Sequence, residues 1–381
     1  MNDSQVITAV SASPEQLTIR WADGSTTEVS SLWLRDNRPD DRDPHSGQRL
    51  IDISDVPESP RLRSAVLAPE GVYVEWAGEE CRALFNKEWL AAHARGGGKP
   101  AELSVRTWLE GGMLDAACDF AWASPAVLCA DPRLRLRWLT RLLQDGLAFL
   151  NEVAVEEPAL LAAVPLIGRV LETNYGLTFD VRSVAQPENL AYTDLGLGLH
   201  TDNPYREPVP GFQALHALLP SREGGESLFA DGFALAARLR ETAPEDFALL
   251  TTTPVPFLYR SRDAELYAER PLIQLSAGGE IVSVHYNSRS VAPLPPGANL
   301  AAFYAAYRRF ATLLREARFQ LRMRLGAGTL VVFDNQRILH GRTAFASARF
   351  PRHLRGCYLT RDSVHSEARL LRRQLAAAEG A

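Results

Sequence analysis

A histidine and an aspartate two residues apart, His200 and Asp202 in "GLHTDNPYREPVPG", open the question of chemistry in this chain. In an extended segment the side chains at i and i+2 point to one face, so an imidazole nitrogen and a carboxylate can converge on a single cation. Pro204, Pro208 and Pro210 keep the chain that follows extended or turning and out of a helix. By itself the pair also fits a polar turn with a capping aspartate. The balance shifts at "VVFDNQRILHGRTAF", where a strand pattern runs into His340, Gly341 and Arg342. His340 offers a third ligand from a distant part of the chain; the alternative is a histidine satisfied within the core. Two imidazoles and one carboxylate leave metal positions open, which suits non-haem Fe(II) and oxygen better than a closed zinc site. Arg352 in "PRHLRGCY", 12 residues past His340, adds a guanidinium able to clamp a carboxylate through two hydrogen bonds. Ser227 in "GGESLFADG" adds a hydroxyl for the same carboxylate.

These residues need a scaffold, and the pattern supplies one in two parts. Residues 1–103 read as a small β-rich domain: "QLTIRWADGSTTEVSSLWLRDN" gives two alternating strands around the Asp23-Gly24 turn, and "AVLAPE" and "GVYVEW" add more. "HARGGGKPAEL" reads as a linker. Residues 104–381 carry helices at "DPRLRLRWLTRLLQDG", "EPALLAAVPLIGRVLETNYG", "FALAARLRET" and "ANLAAFYAAYRRFATLLREARF", with a polar helical tail. Between them lie many short strands, among them "FQALHALL", "ESLFADG" and "RHLRGCY". Short strands with a few flanking helices predict a mostly β fold built on a double-stranded β-helix, or jelly roll.

Composition bounds the function. The chain of 381 residues is 46% hydrophobic and 23% charged, with a net charge of −5, so it lacks the basic footprint of a nucleic-acid binder. No apolar run approaches the roughly 20 residues needed to span a bilayer. The start "MNDSQVITAVSASPEQ" is polar rather than leader-like. The four cysteines, Cys81, Cys118, Cys129 and Cys357, form no C-x-x-C pair. The expectation is a cytoplasmic protein with a small-molecule substrate and neither nucleic-acid nor membrane partners.

In combination, "NLAYT", "LHTDNP", "HALLPSREGGESLFADGF", "FDNQRILHGRTAF" and "RHLRGCY" resemble the Fe(II)/2-oxoglutarate dioxygenases of the taurine dioxygenase type. Within them the likeness is to the branch of γ-butyrobetaine and trimethyllysine hydroxylases, and it covers nearly the whole chain, "WADG" and "LWLRDN" included. The resemblance implies that His200, Asp202 and His340 hold Fe(II), and that Arg352 grips the distal carboxylate of the co-substrate 2-oxoglutarate. O2 is then reduced as the co-substrate becomes succinate and a substrate C–H is hydroxylated. It implies an aromatic cage for a quaternary ammonium at Tyr175, Phe179, Tyr192 and Tyr358, since such a cation donates no hydrogen bond and is read by ring faces. Core packing is the alternative for each ring singly. Asn189 and Asn287 match the asparagines that receive the substrate's anion. Arg289, two residues past Asn287, and Arg206 are further candidates for that end. Relatives are commonly homodimers.

The chain also departs from the family. The cysteines that commonly bind structural zinc just after "LWLRDN" are missing from "RDNRPDDRDPHSGQ", and His45 with the aspartates is a poor substitute for thiolates. No zinc is expected. The segment "NSRS" is shortened, which keeps γ-butyrobetaine and its phosphonate analogue 2-(trimethylamino)ethylphosphonate close together as substrates, with trimethyllysine more distant. A non-catalytic binder of quaternary amines is the reading from another class. It has no need of an open metal site. A metal-dependent hydrolase lacks an evident base beside the metal.

Overall fold

The computed structural model describes residues 6–80, 82–95, 103–108, 115–182, 193–297, 299–346 and 351–380. Contacts divide the chain into two units, Met1–Glu102 and Leu103–Ala381. In the first, strands Ile7–Ala12, Gln16–Trp21 and Thr26–Ser30 form one antiparallel sheet. Leu62–Leu67, Gly71–Trp76 and Ala83–Asn86 form another. Leu17, Ile19, Trp21, Val72, Val74, Trp76 and Phe85 alternate inward to make the core. The second strand of the first hairpin stops earlier than its pattern predicts. Ser30 ends it, and its hydroxyl accepts from the Trp33 N–H at 3.1 Å, capping a helix over Ser31–Asp36.

The second unit is a jelly roll. Its larger sheet has seven strands, ordered Phe179–Arg182, His353–Leu359, Phe212–Leu219, Leu330–Asp334, Leu147–Leu150 and Ala121–Ala123, with Val170–Leu171 also paired to His353–Leu359. Its smaller sheet has four, ordered Leu197–His200, Ile338–Arg342, Ser227–Asp231 and Leu321–Met323. Leu215, Val331, Phe333 and Leu354 from the larger sheet share one core with Phe229, Leu321 and Ile338 from the smaller. Fully burying rings such as Phe229 and Phe333 contributes about 1.5–3 kcal/mol each.

Helices seal the outer faces. Pro132–Asp145 starts at Asp131, whose carboxylate accepts from the Arg133 and Leu134 N–H groups, and stops at Gly146 in the left-handed region with φ 74°. It buries Trp138, Leu139 and Leu142 in a core shared with Val364 and Ala368 of the C-terminal helix Arg361–Gly380. A further core joins helices Gly232–Thr242, Pro244–Thr252 and Leu300–Arg315 to a hairpin of Val255–Arg260 and Glu265–Arg270. The pattern at 157–176 predicts one long helix, but the helix covers only Ala159–Ala163 before a 3-10 turn, Val164–Leu166. Pro165 cannot continue an α-helical ladder, and Gly168 lies where an added Cβ would come within 2.8 Å of Ser363 Oγ. Among the described residues no helix is long and apolar enough to cross a membrane.

Candidate active site

His200 ends its strand and is paired in register with His340 on the neighbouring strand, which is paired in turn with Phe229. This brings the imidazole centroids to 4.3 Å. The close approach needs Gly341, where a Cβ would fall 2.4 Å from the Leu197 carbonyl. Asp202 Oδ1 lies 3.2 Å from His200 Nε2, and its Oδ2 lies 3.7 Å from His340 Nε2. One ligand atom from each of His200, Asp202 and His340 lies within 4.8 Å of the other two.

The surroundings fix each of the three. Because a carbonyl can only accept, the 2.9 Å contact of His200 Nδ1 with the Gly198 oxygen puts the proton on Nδ1 and leaves Nε2 its lone pair. The Tyr358 hydroxyl donates to Asp202 Oδ2 at 2.8 Å. Asn335, fully buried and 133 residues away, holds the Asp202 backbone from both sides. It accepts from the Asp202 N–H at 2.7 Å and donates to the Asp202 carbonyl at 3.0 Å and the Pro210 carbonyl at 3.2 Å. Next to Asp202, Asn203 takes φ 55°, a conformation rare outside glycine and frequent at functional sites.

Burial pushes both histidines down, His340 to about 3 with the neighbouring His200 as a second cause. Both imidazoles are therefore neutral ligands at pH 7. Burial alone would raise the Asp202 carboxyl, but the two imidazoles and the Tyr358 hydroxyl outweigh it and keep the group ionised. Two neutral nitrogens and one carboxylate, with His340 Nδ1 lacking a partner among the described residues, form a donor set suited to a divalent transition metal.

The triad lines a cavity of about 380 Å³. Arg352, 7% exposed, reaches into it with only the Ser227 hydroxyl at 3.4 Å as a partner among the described residues. Burial, and then Arg342, push its guanidinium down to about 9, so it is still charged at pH 7. Gly225, at φ 64°, leaves room for this side chain, since a Cβ there would meet Arg352 Cδ at 3.0 Å. Arg289 also lines the cavity, with no ion pair among the described residues. Its side chain has much of its surface open yet is ringed by protein, and that burial lowers its pKa. Cavity-lining cations with no carboxylate partner among the described residues call for anions.

Aromatic rings line the same cavity. Tyr175 and Phe179 lie 6.4 Å apart, Phe179 and Tyr358 4.9 Å, and Tyr175 and Tyr259 6.2 Å, while Tyr205 stacks on Tyr259 at 5.1 Å. Tyr205 and Tyr259 escape a reading of the sequence: one is five residues from His200, the other on a hairpin with no motif. Gln213, Asn335 and Arg342 escape it too, although Asn335 and Arg342 flank His340 within "DNQRILHGR". Asn287 lines the cavity, but its amide N–H donates to the Thr201 carbonyl at 3.1 Å and its Oδ1 has no partner. Arg206 is not among the residues that line the cavity: its guanidinium lies 5.6 Å from the Tyr175 ring centre and bonds the Asn174 side chain. Asn189 and Tyr192 lie outside the described residues.

Residues 114–358 match the family model for the taurine catabolism dioxygenase TauD, TfdA family. The chain belongs to this family. It is 37% identical to a γ-butyrobetaine dioxygenase of Pseudomonas sp. (strain AK-1) over 366 residues, 94% of either chain. It is 27% identical to the human γ-butyrobetaine dioxygenase, again over 94% of each. Among solved structures it is similar to asparagine oxygenase with Fe(II), 3-hydroxyasparagine and succinate, at 18% identity and a TM-score of 0.49 over 62% of this chain and 82% of that one. The protein is an Fe(II)- and 2-oxoglutarate-dependent dioxygenase that uses O2.

Proposed function

We propose that the protein hydroxylates γ-butyrobetaine. His200, Asp202 and His340 hold the iron, Arg352 and Ser227 hold the distal carboxylate of 2-oxoglutarate, and the aromatic wall takes the trimethylammonium group. The carrying observation is the polarity of one cavity: rings of Tyr175, Phe179, Tyr205, Tyr259 and Tyr358 share it with the unpaired Arg289 and the triad. A zwitterion with a quaternary amine and an anion fits that division. Similarity to dioxygenases named for γ-butyrobetaine supports the same substrate.

Bound iron, with O2 and 2-oxoglutarate, supplies the oxidation: the co-substrate loses CO2 to become succinate, one oxygen atom enters it, and the other enters the C–H bond. The chain does the positioning. Ser227 lies two residues along its strand from Phe229, the partner of His340, so Arg352 and Ser227 sit one pleat, about 7 Å, from the metal row. A five-carbon dicarboxylate held at the triad by one end would span that gap. Tyr358 holds Asp202 with its hydroxyl while offering its ring to the substrate side, so the expected cage residue also orients a ligand. The unpaired cysteines Cys129 and Cys357 support a reducing compartment such as the cytoplasm.

Arg289 favours one second reading. A cavity guanidinium with no ion pair among the described residues would suit the dianion of 2-(trimethylamino)ethylphosphonate. A succinate-release screen with Fe(II), 2-oxoglutarate, O2 and each candidate tests both. We expect γ-butyrobetaine to give coupled succinate and hydroxylated product. Faster coupled turnover of the phosphonate would replace the substrate, and silence with every trimethylammonium compound would end the reading.

A further inference from the structure

Gln213 is buried to 2% exposure in the middle strand of the larger sheet and lines the cavity. Its buried Oε1 has no partner among the described residues. The next inward position on its strand is Leu215, so an aliphatic side chain would suit this face of the sheet. A carboxamide whose oxygen is kept dry and unpaired there implies a ligand that bonds it.

Register says which part of the cavity the amide serves. Gln213 is paired with Phe333 on one side and with Tyr358 on the other. Directly opposed residues in antiparallel strands send their side chains to the same face. All three therefore enter the space between the sheets in one row. Tyr358 donates to Asp202 Oδ2 at 2.8 Å, and the Phe333 ring lies 4.8 Å from that of His340. Gln213 thus sits between the residues that support two of the three triad members. On the facing sheet Ser227, the partner of Arg352, lies two residues along its strand from Phe229, which pairs with His340, so the seat proposed for the far carboxylate is one pleat from the His340 row.

From this placement we infer that the Gln213 amide donates a hydrogen bond to the keto-acid end of 2-oxoglutarate, the end that meets the metal, while Arg352 holds the other. The inference rests on the assignment of His200, Asp202, His340 and Arg352 made above. Gln213 is then a co-substrate-binding residue that fixes how the keto acid lies on the iron. Its substitution should move co-substrate binding and its spectrum more than metal or substrate binding.

The test is an anaerobic titration of the Fe(II)-loaded protein with 2-oxoglutarate, followed by its visible charge-transfer band, with Fe(II) affinity measured separately. For Gln213→Leu we expect Fe(II) affinity to stay within about twofold. The dissociation constant for 2-oxoglutarate should rise roughly tenfold to a hundredfold, the range of one hydrogen bond to a charged acceptor, and the band should shift. Gln213→Met repeats the measurement should Gln213→Leu fail to fold. An unchanged constant and band in a folded variant overturns the inference, as does a loss confined to O2 consumption or to Fe(II) binding. Absence of the band in the unmutated protein would instead sink the assignment of the site itself.

Discussion

Two buried guanidiniums in the jelly roll carry the same charge in opposite circumstances. Arg337, just before the strand that bears His340, is 1% exposed and fully engaged. It bonds both oxygens of Asp231, at 3.1 and 2.7 Å, and donates to the carbonyls of Gln144 and Arg106 at 2.7 Å each. Arg352 is nearly as buried, yet has one hydroxyl at 3.4 Å and no carboxylate among the described residues. A charge whose partners come from the chain is structure, for its desolvation is offset within the fold. A charge left without them is a seat for something that arrives later. The first unit repeats the structural case where the family's zinc cysteines are missing. There Arg35 pairs with Asp41 at 2.6 Å and Glu79 at 2.7 Å, and Arg38 with Glu79 at 3.1 Å.

The largest effect should come from the triad. His340→Ala removes one of three ligands and should abolish Fe(II) binding, read by quenching of intrinsic fluorescence, together with succinate formation. Its melting temperature should hardly fall, because no described group is bonded to the ring's Nδ1. Retained metal binding would end the parallel between unpaired groups and ligand seats.

The two arginines separate more sharply. Arg337→Met strands a buried carboxylate at Asp231 and two carbonyls, and should cost about 3–5 kcal/mol of stability in denaturant unfolding. Arg352→Met strands no carboxylate among the described residues and frees only the Ser227 hydroxyl at 3.4 Å, so its stability should hold or rise. Affinity for 2-oxoglutarate should weaken by about 2–5 kcal/mol. Equal destabilisation of the two variants would make Arg352 structural and break the comparison.

Asn335 stands between these cases, a fully bonded side chain whose work is to aim a ligand. Asn335→Ala leaves the Asp202 N–H and carbonyl unpaired, at a cost of about 1–3 kcal/mol. Loosening the ligand's backbone should weaken Fe(II) binding roughly tenfold to a hundredfold. Loss of stability with unaltered metal affinity would make it scaffold only.

What could be read in the sequence was whatever is local or carries its own spacing. His200 and Asp202 announce themselves by an i, i+2 interval, His340 by the strand pattern that runs into it, although the strand continues to Arg342 rather than ending there, and the jelly roll by short strands among capped helices. What could not be read depends on register between segments far apart in the chain. Gln213 looks like any polar residue in "FQALHALL" until Phe333 and Tyr358 are seen on either side of it. Tyr259 reaches the cavity only because a hairpin over Val255–Arg270 folds across, and nothing in its own neighbourhood marks a site. The helix expected across 157–176 fails for the converse reason: its apolar spacing is real, but Pro165 and the packing of Gly168 on the C-terminal helix interrupt it.

The smallest effect expected is at the aromatic wall, and it bears on whether those rings bind a cation or merely pack. Tyr259 stacks on Tyr205 at 5.1 Å and meets Tyr175 edge-on, so its ring does belong to a small aromatic cluster. A packing role predicts that Tyr259→Leu lowers stability and leaves the substrate requirement alone. A cation-binding role predicts a loss of about 0.5–2 kcal/mol in binding of the trimethylammonium compound, seen as a higher KM. The constant for 2-oxoglutarate should stay fixed, because Arg352 and Ser227 are untouched. The two roles separate further with a neutral isostere: 5,5-dimethylhexanoate, in which carbon replaces the charged nitrogen, should bind the unmutated protein more weakly than γ-butyrobetaine, and Tyr259→Leu should narrow that gap. A gap that stays the same width would assign the wall to shape alone.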